Sequence, residues 1–160
     1  MPALAHLGVG LAAKQLVPRI SVWFLMISAM VIDIVAIFTS LTWMSHGLFM
    51  SIIWTLASMV VAALITRYHN SRNSEDKNKL YDIKQVTLLI GLLVFSHWVL
   101  DFIGWPMTII KPNWTGVPIF FSDTPNIGLG VYNTWLGALS MEIGFFVIGL
   151  VLYMKARKKK

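Results

Sequence analysis

Three acidic residues and one histidine lie within long apolar stretches of this sequence. They are Asp33, His97, Asp101 and Glu142. A charge in the hydrocarbon core of a membrane costs at least ~2.5–3.5 kcal/mol, so an ionisable residue in such a stretch indicates a functional site. Two more imidazoles lie nearby, His6 in a shorter apolar stretch and His46 at the edge of another.

The spacing of His97 and Asp101 indicates metal binding. Residues at i and i+4 share one face of a helix, so this imidazole and this carboxylate can reach one cation. Neutral imidazole and carboxylate groups together suit zinc, manganese or iron(II). We therefore expect a divalent metal ion, zinc or manganese, and candidate ligands on several segments. These ligands are His6, Asp33, His46, His97 and Asp101.

The depth of these residues in a membrane supports one common site. Measured from the nearest basic residue at the inner edge, Asp33, His97 and Glu142 each lie roughly 20 Å along a helix. Asp101 lies roughly 26 Å along, and His46 is expected near the outer surface, at roughly 31 Å. Random placement would scatter such residues, so we expect those inside the membrane to face one another.

The elements that must position them follow from composition. The chain has 160 residues, of which 57% are apolar and 12% charged, and it has no cysteine. Soluble domains are nearer 45–50% apolar and about 25% charged. We predict an all-α, polytopic membrane protein with one domain: four transmembrane helices, a short N-terminal membrane segment and a folded-back outer loop. The segments are about 3–17, 20–41, 47–67, 85–103 and 133–154, with a linker at 68–84 and the loop at 104–131.

The basic residues predict the orientation. Twelve of the thirteen lie near the start, within 67–84, or at the C-terminus. Because cytoplasmic segments carry the excess of Lys and Arg, the linker and the C-terminus are expected in the cytoplasm and the N-terminus outside. This arrangement predicts an inner-membrane protein whose partner is the lipid bilayer. Nucleic acid is not expected, because no basic face alternates with exposed aromatic residues. The sequence indicates no particular oligomeric state.

The outer loop, 104–131, holds four of the six prolines and four glycines, so it is not one helix. Its side chains Trp105, Trp114, Phe120 and Phe121 are too apolar for a solvated loop. We expect it to fold back over the outer face of the helices.

Several short motifs resemble one family in order and spacing. They are His6-Leu7-Gly8-Val9-Gly10, Val31-Ile32-Asp33-Ile34, Ser45-His46-Gly47-Leu48, Ser96-His97-Trp98-Val99-Leu100-Asp101 and Trp114-Thr115-Gly116-Val117-Pro118. Together they resemble prokaryotic membrane proteins of a metal-dependent hydrolase-like family, the YbcI/YdjM-like group. The likeness covers most of the chain except the linker and the last helix. The chain departs from that pattern at Val35 and Ala36, where many members carry a second acid and a histidine, and at Gly47, where they carry serine.

The resemblance implies a membrane-embedded, metal-dependent hydrolase acting on an amphiphilic substrate such as a lipid phosphate or ester. For a hydrolase, burial of Glu142 in the last apolar stretch predicts that it is the general base, because burial raises the pKa of a carboxyl group. Two other functions fit the same residues. One is a small proton- or cation-linked transporter, with the acids and histidines as a relay. The other is a non-catalytic membrane protein with a structural cation.

Overall fold

The computed structural model describes residues 3–39, 41–76, 80–110, 112–121 and 124–158. This part of the chain is mostly helical. Its α-helices are α1 (Leu4–Ala12), α2 (Val22–Ala29), α3 (Val31–Thr39), α4 (Thr42–His46), α5 (Leu48–Arg72), α6 (Ile83–Gly104) and α7 (Trp135–Lys158). Strands β1 (Val117–Pro118) and β2 (Asn126–Ile127) pair antiparallel between α6 and α7. Short 3₁₀ turns occupy Ala13–Gln15, after α1, and Val131–Asn133, before α7.

Three helices, α5, α6 and α7, are long and apolar enough to cross a membrane. The pair α2 and α3 also passes on length and hydropathy, but it is bent by 53°. The described part of the chain therefore contains three candidate spans, or four if the bent pair counts as one. The predicted first segment, 3–17, forms the short helix α1 and the 3₁₀ turn after it.

The predicted segment 20–41 is two helices rather than one. Helix α2 ends at Ala29, and the Met30 amide donates to Ile27 O at 3.0 Å, a bond to the third residue back that tightens the turn. Helix α3 resumes at Val31 in a new direction. The residues at the bend, Ser-Ala-Met-Val-Ile, contain neither glycine nor proline, so the local sequence gives no sign of the break.

Helix α6 lies at the centre of the fold. Of its most apolar stretch 50% is buried, against 11% for α5 and 17% for α7. Helix α5 packs along α6, while α2 and α1 also contact it. Helix α7 packs against α1 through glycines: a Cβ at Gly149 would lie 2.0 Å from Gly8 O. This close crossing fixes the position of α1, which carries His6.

The linker is shorter than predicted, because α5 runs on to Arg72 and α6 begins at Ile83. The Asn70 side chain accepts from the Tyr81 amide at 3.0 Å and donates to Tyr81 O at 2.9 Å, which closes the linker. Asp82 caps α6 by accepting from the Gln85 amide at 3.2 Å. Residues 77–79 of the predicted linker lie outside the described residues.

The segment after α6 folds back over the end of the bundle. The Leu129 amide donates to Phe102 O at 2.8 Å, and the Phe49 amide donates to Ile119 O at 3.0 Å. The segment contributes four buried side chains to an apolar cluster that also contains Ala5 and Leu100. The four are Trp105, Met107, Val117 and Tyr132. Residues 111, 122 and 123 of this segment lie outside the described residues.

Candidate metal centre

The five predicted metal ligands converge at one point inside the protein. His6 comes from α1, Asp33 from α3, His46 from α4, and His97 and Asp101 from α6. The three histidines and Asp101 are at most 3% exposed, and the Asp33 side chain is 14% exposed. Two triads share His97, and within each of them the ligand atoms lie within 4.8 Å of one another. They are His6, Asp33 and His97, and His46, His97 and Asp101. Segments distant in the sequence thus form a single polar cluster between two apolar ones.

Helix α6 supplies the base of the cluster. His97 and Asp101 are four residues apart on its buried face, with His97 Nε2 3.5 Å from Asp101 Oδ2. Leu93 and Val94 one turn below and Leu100 beside Asp101 are buried among apolar side chains, so this face is held in place. The geometry that the i, i+4 spacing predicts is present.

The hydrogen bond of His97 fixes which ring nitrogen carries a proton in the neutral imidazole. His97 Nδ1 lies 2.8 Å from the carbonyl oxygen of Ala29, the last residue of α2. A carbonyl oxygen only accepts, so Nδ1 carries the proton and donates it. In the neutral ring, the lone pair of Nε2 then faces the carboxylates of Asp33, at 3.6 Å, and Asp101. The bend after α2 leaves this carbonyl available, because the last carbonyls of a helix lack partners within it.

His46 is buried in the cluster, not exposed near the outer surface as its depth predicted. The short helix α4 turns the chain back, and Gly47 separates it from α5 with φ −61° and ψ 140°. His46 Nε2 therefore lies 3.3 Å from Asp33 Oδ1 and 3.4 Å from Asp101 Oδ2. Its other nitrogen, Nδ1, lies 2.7 Å from Ser45 Oγ. A partner on one ring nitrogen orients the other toward the carboxylates.

His6 completes the cluster from the side of α1. Its Nε2 lies 3.6 Å from Asp101 Oδ1, and its ring stacks on that of His97 with the centroids 3.7 Å apart. His6 Nδ1, His97 Nε2 and Asp101 Oδ2 are buried without a hydrogen-bond partner among the described residues. Buried polar atoms normally have one, so these atoms indicate a missing ligand.

The distances and the charges fit a divalent cation. The five nitrogen-to-oxygen separations run from 3.3 to 3.6 Å, longer than typical N–H···O hydrogen bonds of about 2.7–3.2 Å. Two atoms that each lie ~2.1 Å from a tetrahedral zinc ion are ~3.4 Å apart. Two carboxylates and three neutral imidazoles carry a charge of −2, which a divalent ion balances. The donor set therefore suits the predicted zinc or manganese.

Glu142, the predicted general base, is hydrogen-bonded to α1 and to Tyr132 rather than to the five residues of this cluster. Its Oε2 accepts from the amides of Leu4, at 2.8 Å, and Ala5, at 3.2 Å, and its Oε1 accepts from the Tyr132 hydroxyl. Burial and the bond to Glu142 raise the pKa of the Tyr132 hydroxyl, so it stays protonated and donates. The two amides belong to the first turn of α1 and have no partner within the helix. Glu142 thus ties α7 to the start of the helix that carries His6.

Three partners of the site were not predicted from the sequence. Ser45 is part of the Ser-His-Gly-Leu motif, so its place beside His46 had a signal. The Ala29 carbonyl had none, because it becomes available only through the bend between α2 and α3. The hydroxyl of Tyr132 comes from the folded-back segment, where only its aromatic character was visible.

No family model, no curated protein and no solved structure matches this chain. The likeness to the metal-dependent hydrolase-like family therefore stays a prediction from the motifs, and the His/Asp cluster is a candidate metal site on its geometry alone.

Proposed function

We propose that this chain is an integral protein of the prokaryotic inner membrane with its C-terminus in the cytoplasm. The exposed faces of α5 and α7 support this, since they carry large apolar side chains such as Leu56, Val60 and Leu136. A helix that is apolar all round must be buried in protein or in lipid, and most of these two helices is not buried in protein. The basic residues at the ends of both helices support the cytoplasmic assignment.

We further propose that the five-residue cluster binds one divalent cation and serves a hydrolase-like activity. The single observation that carries this proposal is the orientation of His97. Its Nδ1 donates to Ala29 O, so in the neutral ring its Nε2 lone pair faces two carboxylates across 3.5 and 3.6 Å. A lone pair on the imidazole nitrogen and the lone pairs on the carboxylate oxygens repel one another when they face each other in a buried site. A cation bound between them removes that repulsion.

The chemistry that a divalent cation supplies at such a site is Lewis acidity, which polarises a phosphoryl or carbonyl group and lowers the pKa of a water molecule. The substrate class that fits a site inside a membrane is amphiphilic, with a phosphate or ester head. His46, His97 and Asp101, whose ligand atoms lie within 4.8 Å of one another, would hold the cation from the buried side, with His6 stacked beside them on His97. Asp33, the least buried of the five, borders the space where a substrate head is expected.

Glu142 serves this function as a positioning residue. Three donors already occupy its oxygens, and they bind it to the first turn of α1 and to Tyr132. By holding the first turn of α1 against α7, it fixes the height of His6 opposite His97. This role differs from the general base that the sequence predicts at Glu142.

The test is elemental analysis of the protein purified in mild detergent, beside His97→Ala and Asp101→Ala. We expect about one equivalent of zinc or manganese in the parent chain and its loss in both variants. His69→Ala is the matched control, because the His69 ring contacts that of Tyr81 away from the site, with the centroids 4.8 Å apart, so metal content is expected to be unchanged. Metal-containing protein is then assayed on phosphate and carboxylate esters with long alkyl chains.

Folded protein without metal, even after incubation with zinc or manganese, would overturn the proposal. The same imidazoles and carboxylates would then share protons, and proton-dependent flux into liposomes becomes the measurement to make. Bound metal without hydrolysis of any of these esters would instead indicate a structural cation.

A further inference from the structure

We propose that the substrate reaches the metal centre sideways from the lipid, past α3, and that it is an amphiphile whose alkyl chain remains in the bilayer. This inference rests on the proposed function and adds the route and the substrate class. It is carried by two observations: the site is covered on the side of the folded-back segment, and its one partly exposed ligand lies on an apolar, exposed helix face.

The cover over the site is tightly packed. Trp105, Met107, Val117 and Tyr132 are each at most 3% exposed, and the Trp105 ring lies over His46 with the centroids 6.5 Å apart. Backbone hydrogen bonds hold this cover to the helices, such as the one from the Leu129 amide to Phe102 O of α6 at 2.8 Å. A water-soluble substrate would have to displace this buried apolar layer.

On the side of α3, by contrast, the site is not fully covered by protein. The Asp33 side chain is 14% exposed, whereas the other four ligands are at most 3% exposed. Ile37 lies one helical turn from Asp33 on the same face and is 76% exposed, and the neighbouring Ile34 is 37% exposed. The open side of the site is therefore continuous with an apolar surface.

The depth of this opening places it among acyl chains. Asp33 lies ~9 Å along the axis of α3 from its end at Thr39, so with that end at the outer edge of a ~30 Å hydrocarbon core the opening lies inside the core. An ionised carboxylate exposed to hydrocarbon is unfavourable unless a polar group covers it. The head of an amphiphile supplies that group while its alkyl chain packs on Ile34 and Ile37.

The experiment uses the absence of cysteine from the sequence. Asp33→Cys is reconstituted in lipid vesicles and labelled with an apolar maleimide or with a charged methanethiosulfonate. The new thiol lies beside His46 and His97, which can take its proton, so it reacts even in apolar surroundings. Ser74→Cys, exposed in the polar linker, calibrates the two reagents in water, and the vesicles are made permeable so that both reach it.

We expect the ratio of apolar to charged labelling at position 33 to exceed the ratio at position 74 at least about tenfold, because the charged reagent must enter hydrocarbon. Adding Ile37→Trp should slow apolar labelling of Asp33→Cys, while Leu136→Trp, equally exposed but on α7, should not. Equal ratios at the two positions would overturn the route through lipid. Labelling at position 33 only after denaturation would overturn it too.

Labelling is done on protein stripped of metal with a chelator, so neither outcome depends on bound metal or on hydrolysis. A failed labelling experiment with intact metal binding removes the route alone, and absent metal with selective labelling removes the proposed function alone.

Discussion

The imidazole rings of His6 and His97 lie parallel, with the centroids 3.7 Å apart and the planes 4° apart. Both are buried, one on α1 and the other on α6. Two protonated rings stacked this closely would repel each other in a medium of low dielectric constant. The stack therefore favours at least one neutral ring, and a neutral imidazole is the form that binds a metal.

This stack leads to the first prediction. His6→Ala removes one ligand and leaves His97, Asp33 and Asp101 in place, so it should weaken zinc binding by at least the ~10–100-fold that loss of a second-shell partner costs. The measurement is competition with a chromophoric chelator in detergent. Leu7→Ala is the matched control, because it shortens the adjacent half-buried side chain of the same helix. An unchanged zinc affinity in His6→Ala would make the stack a packing contact only.

The second prediction separates two roles of Glu142. In Glu142→Gln, the amide oxygen can still accept from the Leu4 and Ala5 amides, and the amide nitrogen can donate to the Tyr132 oxygen. In Glu142→Ala, all three bonds are lost, which should destabilise the protein by ~0.5–2 kcal/mol, as for other helix N-cap deletions. We expect zinc affinity to be preserved in the glutamine variant and weakened in the alanine variant.

The hydrolytic activity of the same two variants tests the alternative role of Glu142 as general base. If Glu142 were the general base, Glu142→Gln would bind metal normally but lose activity as completely as Glu142→Ala. Retention of most activity in Glu142→Gln, with a fall in Glu142→Ala that added metal partly restores, would identify positioning. Thermal unfolding with and without zinc measures the stability of each variant.

Which parts of the site the sequence predicts depends on how local the signal is. The pair His97 and Asp101 is local, since one helix and one spacing decide it. The sequence predicts that Asp33 and His6 belong to the site because an ionisable group in the hydrocarbon core is unfavourable. Such groups at similar depth are more stable when they contact one another. These residues come together without any pairwise sequence signal.

The remaining features depend on tertiary contacts, which periodicity does not report. The bend after Ala29 has no glycine or proline, and His97 Nδ1 donates a hydrogen bond to the Ala29 carbonyl oxygen at the bend. The burial of His46 depends on the five-residue helix α4, too short to show in a hydropathy pattern. The place of Glu142 depends on where α1 ends up against α7, and a depth estimate along one helix carries no such information.

The third prediction concerns orientation in the membrane. Ser74→Cys in the linker and Asn113→Cys in the segment after α6 lie in exposed parts of the chain separated by α6. If α6 spans the membrane once with the linker inside, an impermeant thiol reagent added to intact cells should label position 113 and not position 74. Both should be labelled after the membrane is made permeable. Labelling of position 74 in intact cells would reverse the orientation, and labelling of both would contradict a span by α6.

The fourth prediction tests whether the crossing of α1 and α7 positions the metal centre. A Cβ at Gly149 would lie 2.0 Å from the backbone oxygen of Gly8, whereas a Cβ at Gly144, on the same helix, would meet no atom within 4 Å. Gly149→Ala should therefore push α1 away from α7, cost ~1–3 kcal/mol as overpacking does, and shift His6 out of reach of Asp101. Gly144→Ala should leave stability unchanged or raise it, because alanine favours the helix. Thermal unfolding and zinc competition are measured on both variants. Equal zinc affinity in the two, with Gly149→Ala destabilised, would show that α1 holds His6 in place without the glycine contact.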